Sequence, residues 1–197
     1  MSETQVDTSK RTWLIASGCA GAVGTVCTAI PFVESFEPSE KAKAAGAPVE
    51  ADISGLKPGE KMTVAWRGQP VWIMRRTPEE LADLPKNDPE LADPKSQRPG
   101  FTPAFANNEW RSIKPEILVL VGICSHLGCS PSDRFTPGAQ PSLPSDWRGG
   151  WLCNCHGSTF DLAGRVFKNK PAPDNLLVPP YMFLSDSKLL IGQDKKA

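Results

Sequence analysis

Several features that mark common classes of protein are scarce or absent in this sequence. The 22 basic and 22 acidic side chains cancel to a formal net charge of zero, so the composition gives no support to binding of nucleic acid or another polyanion. Histidine is rare, with two in 197 residues. There is no internal repeat and no helical heptad pattern. The length therefore fits one globular domain with an appendage.

A second absence marks the N-terminal part of the chain. No charged side chain lies between Thr12 and Val33. At about 1.5 Å per residue, a helix of this length covers roughly 33 Å, which is enough to cross a bilayer core of about 30 Å. A cleaved signal peptide is the alternative, but its apolar region usually has about 7–15 residues, and no convincing cleavage site follows this run. We therefore expect a cytoplasmic tail and an uncleaved transmembrane signal-anchor within residues 1–36.

The residues just before this run predict its orientation and its route of export. Lys10 and Arg11 favour an N-terminus on the inside, which places everything after Val33 outside. Residues 9–14 resemble a twin-arginine export signal with Lys10 in place of the first arginine. That route carries folded, cofactor-loaded proteins. The sequence thus predicts a single-pass protein of a bacterial inner membrane with its C-terminal part in the periplasm.

A linker is expected to follow the anchor. Residues 37–50 combine small and charged side chains with Gly46, which permits bending, and Pro48, which limits helix continuation. Before Val49 this segment has no bulky apolar side chain that would pack on a neighbour. We expect a flexible hinge here, followed by a separate head over residues 51–197.

The head is predicted to be mostly antiparallel β structure. Thr77 is an expected helix cap with Pro78 at the first helical position, and later prolines, beginning with Pro85, should keep this helix short. Alternating or continuous apolar patterns indicate strands at 61–66, 71–75, 117–121, 181–184 and 188–191, with a further hairpin over 160–167 that turns at Ala163-Gly164.

Four of the six cysteines and both histidines lie in two hexapeptides. Residues 124–129 read Cys-Ser-His-Leu-Gly-Cys, and residues 153–158 read Cys-Asn-Cys-His-Gly-Ser. Two thiolates and two imidazoles suit tetrahedral zinc, and they also suit an iron–sulfur cluster with two Cys on one iron and two His on the other. Zinc is the weaker candidate, because a zinc module would more naturally use the remaining thiols as ligands. Cys19 and Cys27 fall in the apolar run and are expected to be inert.

The two hexapeptides resemble those of the Rieske iron–sulfur subunits of quinol-oxidising cytochrome bc-type complexes. The likeness extends through Phe-Asp-Leu-Ala-Gly-Arg-Val at 160–166 and Pro-Ala-Pro at 171–173. It implies a 2Fe–2S cluster bound within residues 121–173, and a disulfide between Cys129 and Cys155. The implied ligands are Cys124, His126, Cys153 and His156. An oxidising compartment would preserve such a disulfide.

The resemblance also implies roles for residues around the cluster. Ser158 matches a serine whose hydroxyl points at a bridging sulfide. Phe160 stands where the family commonly has a tyrosine that donates a hydrogen bond to a cysteine ligand, here Cys124, so we expect that hydrogen bond to be absent. The resemblance further implies that Leu127, Gly128, Pro171 and Pro173 contact partner subunits or shield the cluster from solvent.

The implied activity is that of a subunit of a quinol–cytochrome c oxidoreductase, a translocase. His156 would accept a hydrogen bond from quinol, with electron and proton transfer coupled. One electron would pass through the head to a cytochrome c-type subunit and the second to a cytochrome b subunit, within a dimeric membrane complex.

Three other functions compete with this one. A Rieske oxygenase needs a second iron site, usually with two histidines and a carboxylate, and both histidines are already assigned. The second alternative is the Rieske small subunit of an exported molybdenum oxidase, such as arsenite oxidase. The sequence does not exclude it, although an anchor, a hinge and the Pro-Ala-Pro motif favour the quinol complex. The third is a zinc-binding envelope protein without enzymatic activity.

Overall fold

The computed structural model describes residues 8–194 and divides the chain between Ala44 and Ala45 into two compact units. The first unit is built on helix α1, Thr8–Glu34. Its 27 residues span about 40 Å, and by length and composition this helix is sufficient to cross a membrane. The prediction of a helix over the uncharged run is confirmed. Residues 1–7 of the expected tail lie outside the described residues.

The predicted linker contains more regular structure than expected. A short helix, α2, covers Glu40–Ala45, and the Ser39 hydroxyl accepts a hydrogen bond from the backbone N–H of Ala42 at 3.2 Å. Its Glu-Lys-Ala-Lys-Ala-Ala sequence has high helix propensity, so the segment forms a turn of helix without an apolar face to bury. The first strand then begins at Val49, within the range 37–50 that the sequence assigned to the linker.

The second unit is mostly antiparallel β structure, as predicted. In the described part of the chain its nine strands form three three-stranded sheets, ordered β1-β9-β8, β2-β3-β4 and β5-β6-β7. We call β2-β3-β4 the base sheet and β5-β6-β7 the loop sheet. The strands are β1 Val49–Asp52, β2 Lys61–Trp66, β3 Gln69–Arg75, β4 Ile117–Val121, β5 Ser132–Arg134, β6 Gly150–Cys153, β7 Ser158–Asp161, β8 Tyr181–Ser185 and β9 Lys188–Ile191.

The base sheet leads the chain into the first hexapeptide. A two-residue turn joins β2 to β3, and Arg67 and Gly68 have the positive φ angles, 50° and 71°, that such a hairpin requires. Strand β4 pairs with β3, and all five of its residues are buried, which explains its continuous apolar sequence. It ends at Val121, three residues before Cys124.

The loop sheet carries the second hexapeptide as the connection between β6 and β7. Cys153 at the end of β6 pairs with Ser158 at the start of β7. Gly150 opens β6 with φ of +149°, and a Cβ atom there would lie 2.0 Å from the carbonyl oxygen of Phe160. Only glycine therefore permits this close approach of the two strands.

Helix α3, Pro78–Asn87, begins as the sequence predicted. The Thr77 side chain accepts a hydrogen bond from the Glu80 backbone, and the Glu80 side chain accepts one from the Thr77 backbone, which completes a capping box. Pro85 does not stop the helix, because the one hydrogen bond that it cannot donate lies in the last turn. The helix continues to Asn87, and a 3-10 turn over Asp88–Glu90 follows.

Of the two later predicted hairpins, one is complete and one is partial. Strands β8 and β9 form the expected C-terminal hairpin. The hairpin expected over 160–167 is a tight turn whose two arms are joined by a single β-bridge, between Phe160 and Val166, while Phe167 of the return arm bridges to Leu91. In that turn the N–H of Gly164 donates to the Asp161 carbonyl at 2.8 Å.

Candidate metal centre

Both hexapeptides are closed by hydrogen bonds between their own backbone groups. In the first, the N–H of Cys124 donates to the Cys129 carbonyl at 2.8 Å, and the N–H of Gly128 donates to the Cys124 carbonyl at 3.1 Å. In the second, the N–H of Gly157 donates to the Cys153 carbonyl at 2.9 Å. Gly128 and Gly157 both have positive φ, 82° and 75°. The two loops therefore share one design, with a cysteine at the base and a glycine at the turn.

A disulfide between Cys129 and Cys155 ties the two loops together. The Sγ atoms of these two residues and of Cys153 lie within 4.8 Å of one another. This trio is not a ligand set, because two of its sulfurs are already bonded to each other. Instead, the arrangement places the disulfide directly beside the free thiol of Cys153.

The free thiols lie inside the protein and the imidazoles lie at its surface. Cys124 and Cys153 are each 2% exposed. His126 is half-buried and His156 is exposed, and their ring centroids are 4.8 Å apart with the planes at 85°. The fold thus brings the two thiols next to each other in the interior and the two imidazoles next to each other nearer the surface.

The surroundings of Cys124 disfavour its thiolate form. Burial raises the pKa of the Cys124 thiol, and the neighbouring Cys153 thiol raises it further. Hydrogen bonds from the His126 backbone and the Ser158 side chain act in the opposite direction but do not reverse the shift. Such a pair of buried thiols suits a centre that brings its own positive charge, because a bound metal ion deprotonates a coordinating thiol.

A third segment, residues 171–174, is held to both hexapeptides. The backbone N–H of Ala172 donates to Ser158 Oγ at 2.9 Å, and Ser125 Oγ donates to the Asp174 carbonyl at 2.6 Å. Arg98 donates to the Pro173 carbonyl and to the Asp174 carboxylate, the latter at 3.2 Å. Sequence reasoning missed Ser125 and Arg98, since their partners lie 49 and 75 residues away and no local pattern marks them.

The residues predicted to contact partners are all on the surface. Leu127 is 71% exposed, although it is a large apolar side chain at the tip of the first hexapeptide. Gly128, Pro171 and Pro173 are exposed as well. By contrast, Phe160 and Ser158 are completely buried.

Comparison with known proteins assigns this arrangement to a class. A family model described as "Rieske [2Fe-2S] domain" matches residues 100–181, and one described as "Ubiquitinol-cytochrome C reductase Fe-S subunit TAT signal" matches residues 1–39. The head is therefore a Rieske domain. The chain is 54% identical to the ubiquinol-cytochrome c reductase iron-sulfur subunit of Allochromatium vinosum, over 94% of this chain and 89% of that protein. It belongs to the family of ubiquinol–cytochrome c reductase iron–sulfur subunits.

The chain is also similar to further proteins. The subunit of the same name from Rhodospirillum rubrum is 39% identical over 94% of this chain and 93% of that protein. A solved structure titled "Hyperthermophilic respiratory Complex III" is 26% identical, with a TM-score of 0.47 over 89% of this chain and 97% of that chain.

Members of this family carry a Rieske 2Fe–2S cluster, and the residues present here fit it. Two adjacent buried thiols would supply the sulfur ligands of one iron, and two adjacent imidazoles would supply the nitrogen ligands of the other. Neither histidine is left over for a second metal site.

Removal of the disulfide is expected to weaken cluster retention while the four ligands stay in place. In the chain-entropy model, a bond that closes 26 residues stabilises the head by about 3–4 kcal/mol. The double variant Cys129→Ser/Cys155→Ser should therefore melt earlier and bleach faster. Cys19→Ser/Cys27→Ser, which removes two thiols from α1, is the matched control and should behave like the unmodified protein. Equal bleaching of the two double variants would show that the disulfide does not protect the cluster.

Addition of a hydroxyl at Phe160 is expected to raise the midpoint potential. If the new group donates to Cys124 Sγ, a typical hydrogen bond of about 0.5–1.5 kcal/mol corresponds to roughly 20–65 mV for a one-electron couple. Phe160→Tyr should show this rise in protein-film voltammetry. Phe183→Tyr, on β8 and away from the hexapeptides, should leave the potential unchanged. A potential that stays constant or falls in Phe160→Tyr would show that the hydroxyl does not reach Cys124.

Proposed function

We propose that this chain is the electron-transfer subunit that oxidises quinol at a cytochrome b subunit and passes one electron to a cytochrome c-type subunit. The observation that carries the proposal is the exposed imidazole of His156 beside the disulfide-linked loops of a Rieske domain. Membership of the reductase family supports this function over that of a molybdenum oxidase subunit.

The proposed ligand set rests on the burial of the two thiols and the greater exposure of the two imidazoles. Cys124 and Cys153 would bind one iron of the cluster, and His126 and His156 would bind the other. When bound, the cluster supplies one-electron chemistry at about −150 to +300 mV, because two neutral imidazoles replace two thiolates. Ser158 supports the site, because its hydroxyl accepts a hydrogen bond from the Ala172 backbone and donates one to the Cys124 sulfur.

The chain's own residues position the quinol and receive its proton. His156 is the more exposed of the two histidines, so the ring nitrogen that would not be bound to iron can be reached by a quinol hydroxyl. In its deprotonated form this nitrogen would accept a hydrogen bond from that hydroxyl and then receive the proton that the quinol releases on oxidation. Leu127 and Gly128 at the loop tip, together with Pro171 and Pro173, form the surface that docks on cytochrome b and shields the reacting groups from water.

The N-terminal unit anchors this chemistry at the membrane. Helix α1 spans the bacterial inner membrane with Lys10 and Arg11 on the inside, and the head lies in the periplasm within a dimeric complex. The match of residues 1–39 to a TAT signal model supports export in the folded state. Such export suits a cofactor that is inserted in the cytoplasm.

Purification of the complex from membranes tests this function. We expect the chain to co-purify with b- and c-type haem, and the preparation to reduce cytochrome c with quinol. His156→Ala should abolish this reduction without dissociation of the haem subunits. Molybdenum in place of haem, or quinol oxidation that is unaffected by His156→Ala, would contradict the proposal.

The linker is expected to matter for turnover and not for the cluster. If residues 41–48 let the head move between the two cytochromes, substitution of Ala44, Ala45 and Ala47 by proline should slow quinol-dependent reduction of cytochrome c. The EPR spectrum of the cluster should stay normal. Glycine at the same three positions is the matched control and should retain turnover. Unchanged turnover in the proline variant would make large head motion unnecessary.

A further inference from the structure

Four side chains outside the ligand loops connect the base sheet to the loop sheet. Trp72 of β3 stacks on Trp151 of β6, with centroids 5.4 Å apart and planes at 15°. The indole N–H of Trp151 donates to Asp133 Oδ1 at 3.1 Å, and the same oxygen pairs with Lys61 Nζ at 2.5 Å. Lys61 Nζ lies 4.4 Å from the centroid of the Trp72 ring, so each of the four side chains contacts two of the others. We call these four residues the Trp72 bridge.

Each sheet contributes one aromatic and one charged member of the bridge. Asp133 lies directly opposite Trp151 in the pairing of β5 with β6. Trp72 lies opposite Thr63 in the pairing of β2 with β3, so Lys61 is its diagonal neighbour two residues along. The cation of the base sheet thus forms an ion pair with the carboxylate of the loop sheet, and the two indoles stack on each other. These two contacts join the sheets, and the strand registers fix the positions of the four side chains.

The bridge also contacts the segments that deliver both cysteine ligands. A Cβ atom on Gly122 would lie 2.2 Å from Cε2 of Trp72, so the indole packs directly on the backbone two residues before Cys124. Its stacking partner Trp151 lies two residues before Cys153. One buried ring, 4% exposed, therefore touches the entry to one ligand loop and is stacked on the entry to the other.

We propose that Trp72 is a positioning residue for the cluster, because its indole sets the separation of the two segments that carry Cys124 and Cys153. This proposal depends on the ligand set proposed above. The indole lies against the entry segments of the two ligand loops. It acts through the backbone of Gly122 and the ring of Trp151, as outer-shell groups do when they orient metal ligands. Loss of the ring should let the two sulfurs move relative to each other without changing the ligand chemistry.

The chain provides a closely matched control in Trp66. This residue belongs to the same β2–β3 hairpin, is 5% exposed, and also packs on a glycine, since a Cβ on Gly192 would lie 2.5 Å from its Nε1 atom. Gly192 leads to neither ligand loop. Trp66→Leu therefore removes a similar amount of buried aromatic surface from the same sheet without touching the entry segments.

The test compares Trp72→Leu with Trp66→Leu in the full-length chain in detergent. Both variants should unfold at a lower temperature than the unmodified protein. Only Trp72→Leu should release iron to a chelator faster, by about 10–100-fold, the range typical of lost outer-shell support. Only Trp72→Leu should broaden or shift the EPR spectrum of the reduced cluster, and Trp72→Phe should restore part of both properties.

Equal rates of iron release from the two leucine variants, or a spectrum of Trp72→Leu that superimposes on the unmodified one, would overturn the proposal. If Trp72→Leu yields no folded protein, Lys61→Met and Asp133→Asn test the bridge from its more exposed side. Faster iron release in these two variants supports the proposal, and unchanged release in both overturns it. An error in the ligand set itself would appear separately, as normal Rieske spectra in His126→Cys and His156→Cys.

Discussion

Replacement of His156 by cysteine is expected to abolish the Rieske EPR and visible spectra while a 2Fe–2S cluster remains bound. The same result is expected for His126→Cys. Each change would replace a neutral imidazole with an anionic thiolate at one of the two proposed histidine ligands, so the cluster should become more negative and harder to reduce. The potential should fall by several hundred millivolts, towards the roughly −400 mV of an all-cysteine ferredoxin. EPR of the reduced protein and redox titration measure both effects.

Neighbouring substitutions provide the control for these variants. Leu127→Ala and Asn154→Ala change side chains beside the proposed ligands, one in each hexapeptide, and both side chains are exposed. They should leave the spectrum unchanged. A normal Rieske spectrum in either histidine variant would remove that histidine from the ligand set.

Replacement of Asp161 by alanine is expected to destabilise the head by about 3–5 kcal/mol, the usual cost of leaving one member of a buried ion pair without its partner. Asp161 and Arg165 are 0% and 1% exposed, and Arg165 Nη2 lies 2.7 Å from Asp161 Oδ2. The carboxylate also accepts hydrogen bonds from the backbone N–H groups of Ala163 and Arg165, at 2.9 Å each. This cost corresponds to a fall of about 6–20 °C in the melting temperature.

The network around Arg165 explains why this effect should be large. Burial by itself would lower the pKa of Arg165, but the carboxylates of Asp161 and Asp88 outweigh burial and raise it. Arg165 also donates to the Leu84 carbonyl at 2.8 Å, so the ion pair of Asp161 and Arg165 connects the turn after β7 to helix α3. Asp186→Ala is the matched control, because the Asp186 side chain also forms an ion pair, with Lys114, but is fully exposed to water. Similar melting temperatures for the two variants would show that the buried pair contributes little.

The sequence predicted those parts of the fold whose patterns are local. Strand β4 is recognisable because five consecutive apolar residues can be buried on both faces, and α3 is recognisable because its capping box lies within four residues. Strand β5, Ser132–Arg134, was missed, since it is short and polar and exists only because it pairs with β6. The first two residues of strand β1, Val49 and Glu50, were assigned to the linker for a related reason: the pairing of this strand with β9 is not visible in four residues.

The residues of the candidate site also divide into those that a local sequence pattern predicts and those that only the fold brings together. Cys and His at short spacing are rare enough to identify the loops directly from sequence. The supporting contacts are not readable in this way, since Ser125 with Asp174 and Trp72 with Trp151 join residues far apart in the chain. Their side chains are common in any β domain, and only the folded arrangement gives them a role beside the ligands.

The most direct test of this account is selective labelling of histidine with ¹⁵N, followed by pulsed EPR of the reduced protein. The sequence contains only His126 and His156, so a preparation with a histidine-free tag assigns every strongly coupled histidine nitrogen to one of these two residues. The account predicts two strongly coupled nitrogens in the unmodified protein and one in each of His126→Cys and His156→Cys. A cluster with one coupled nitrogen or none in the unmodified protein would contradict the proposed ligand set.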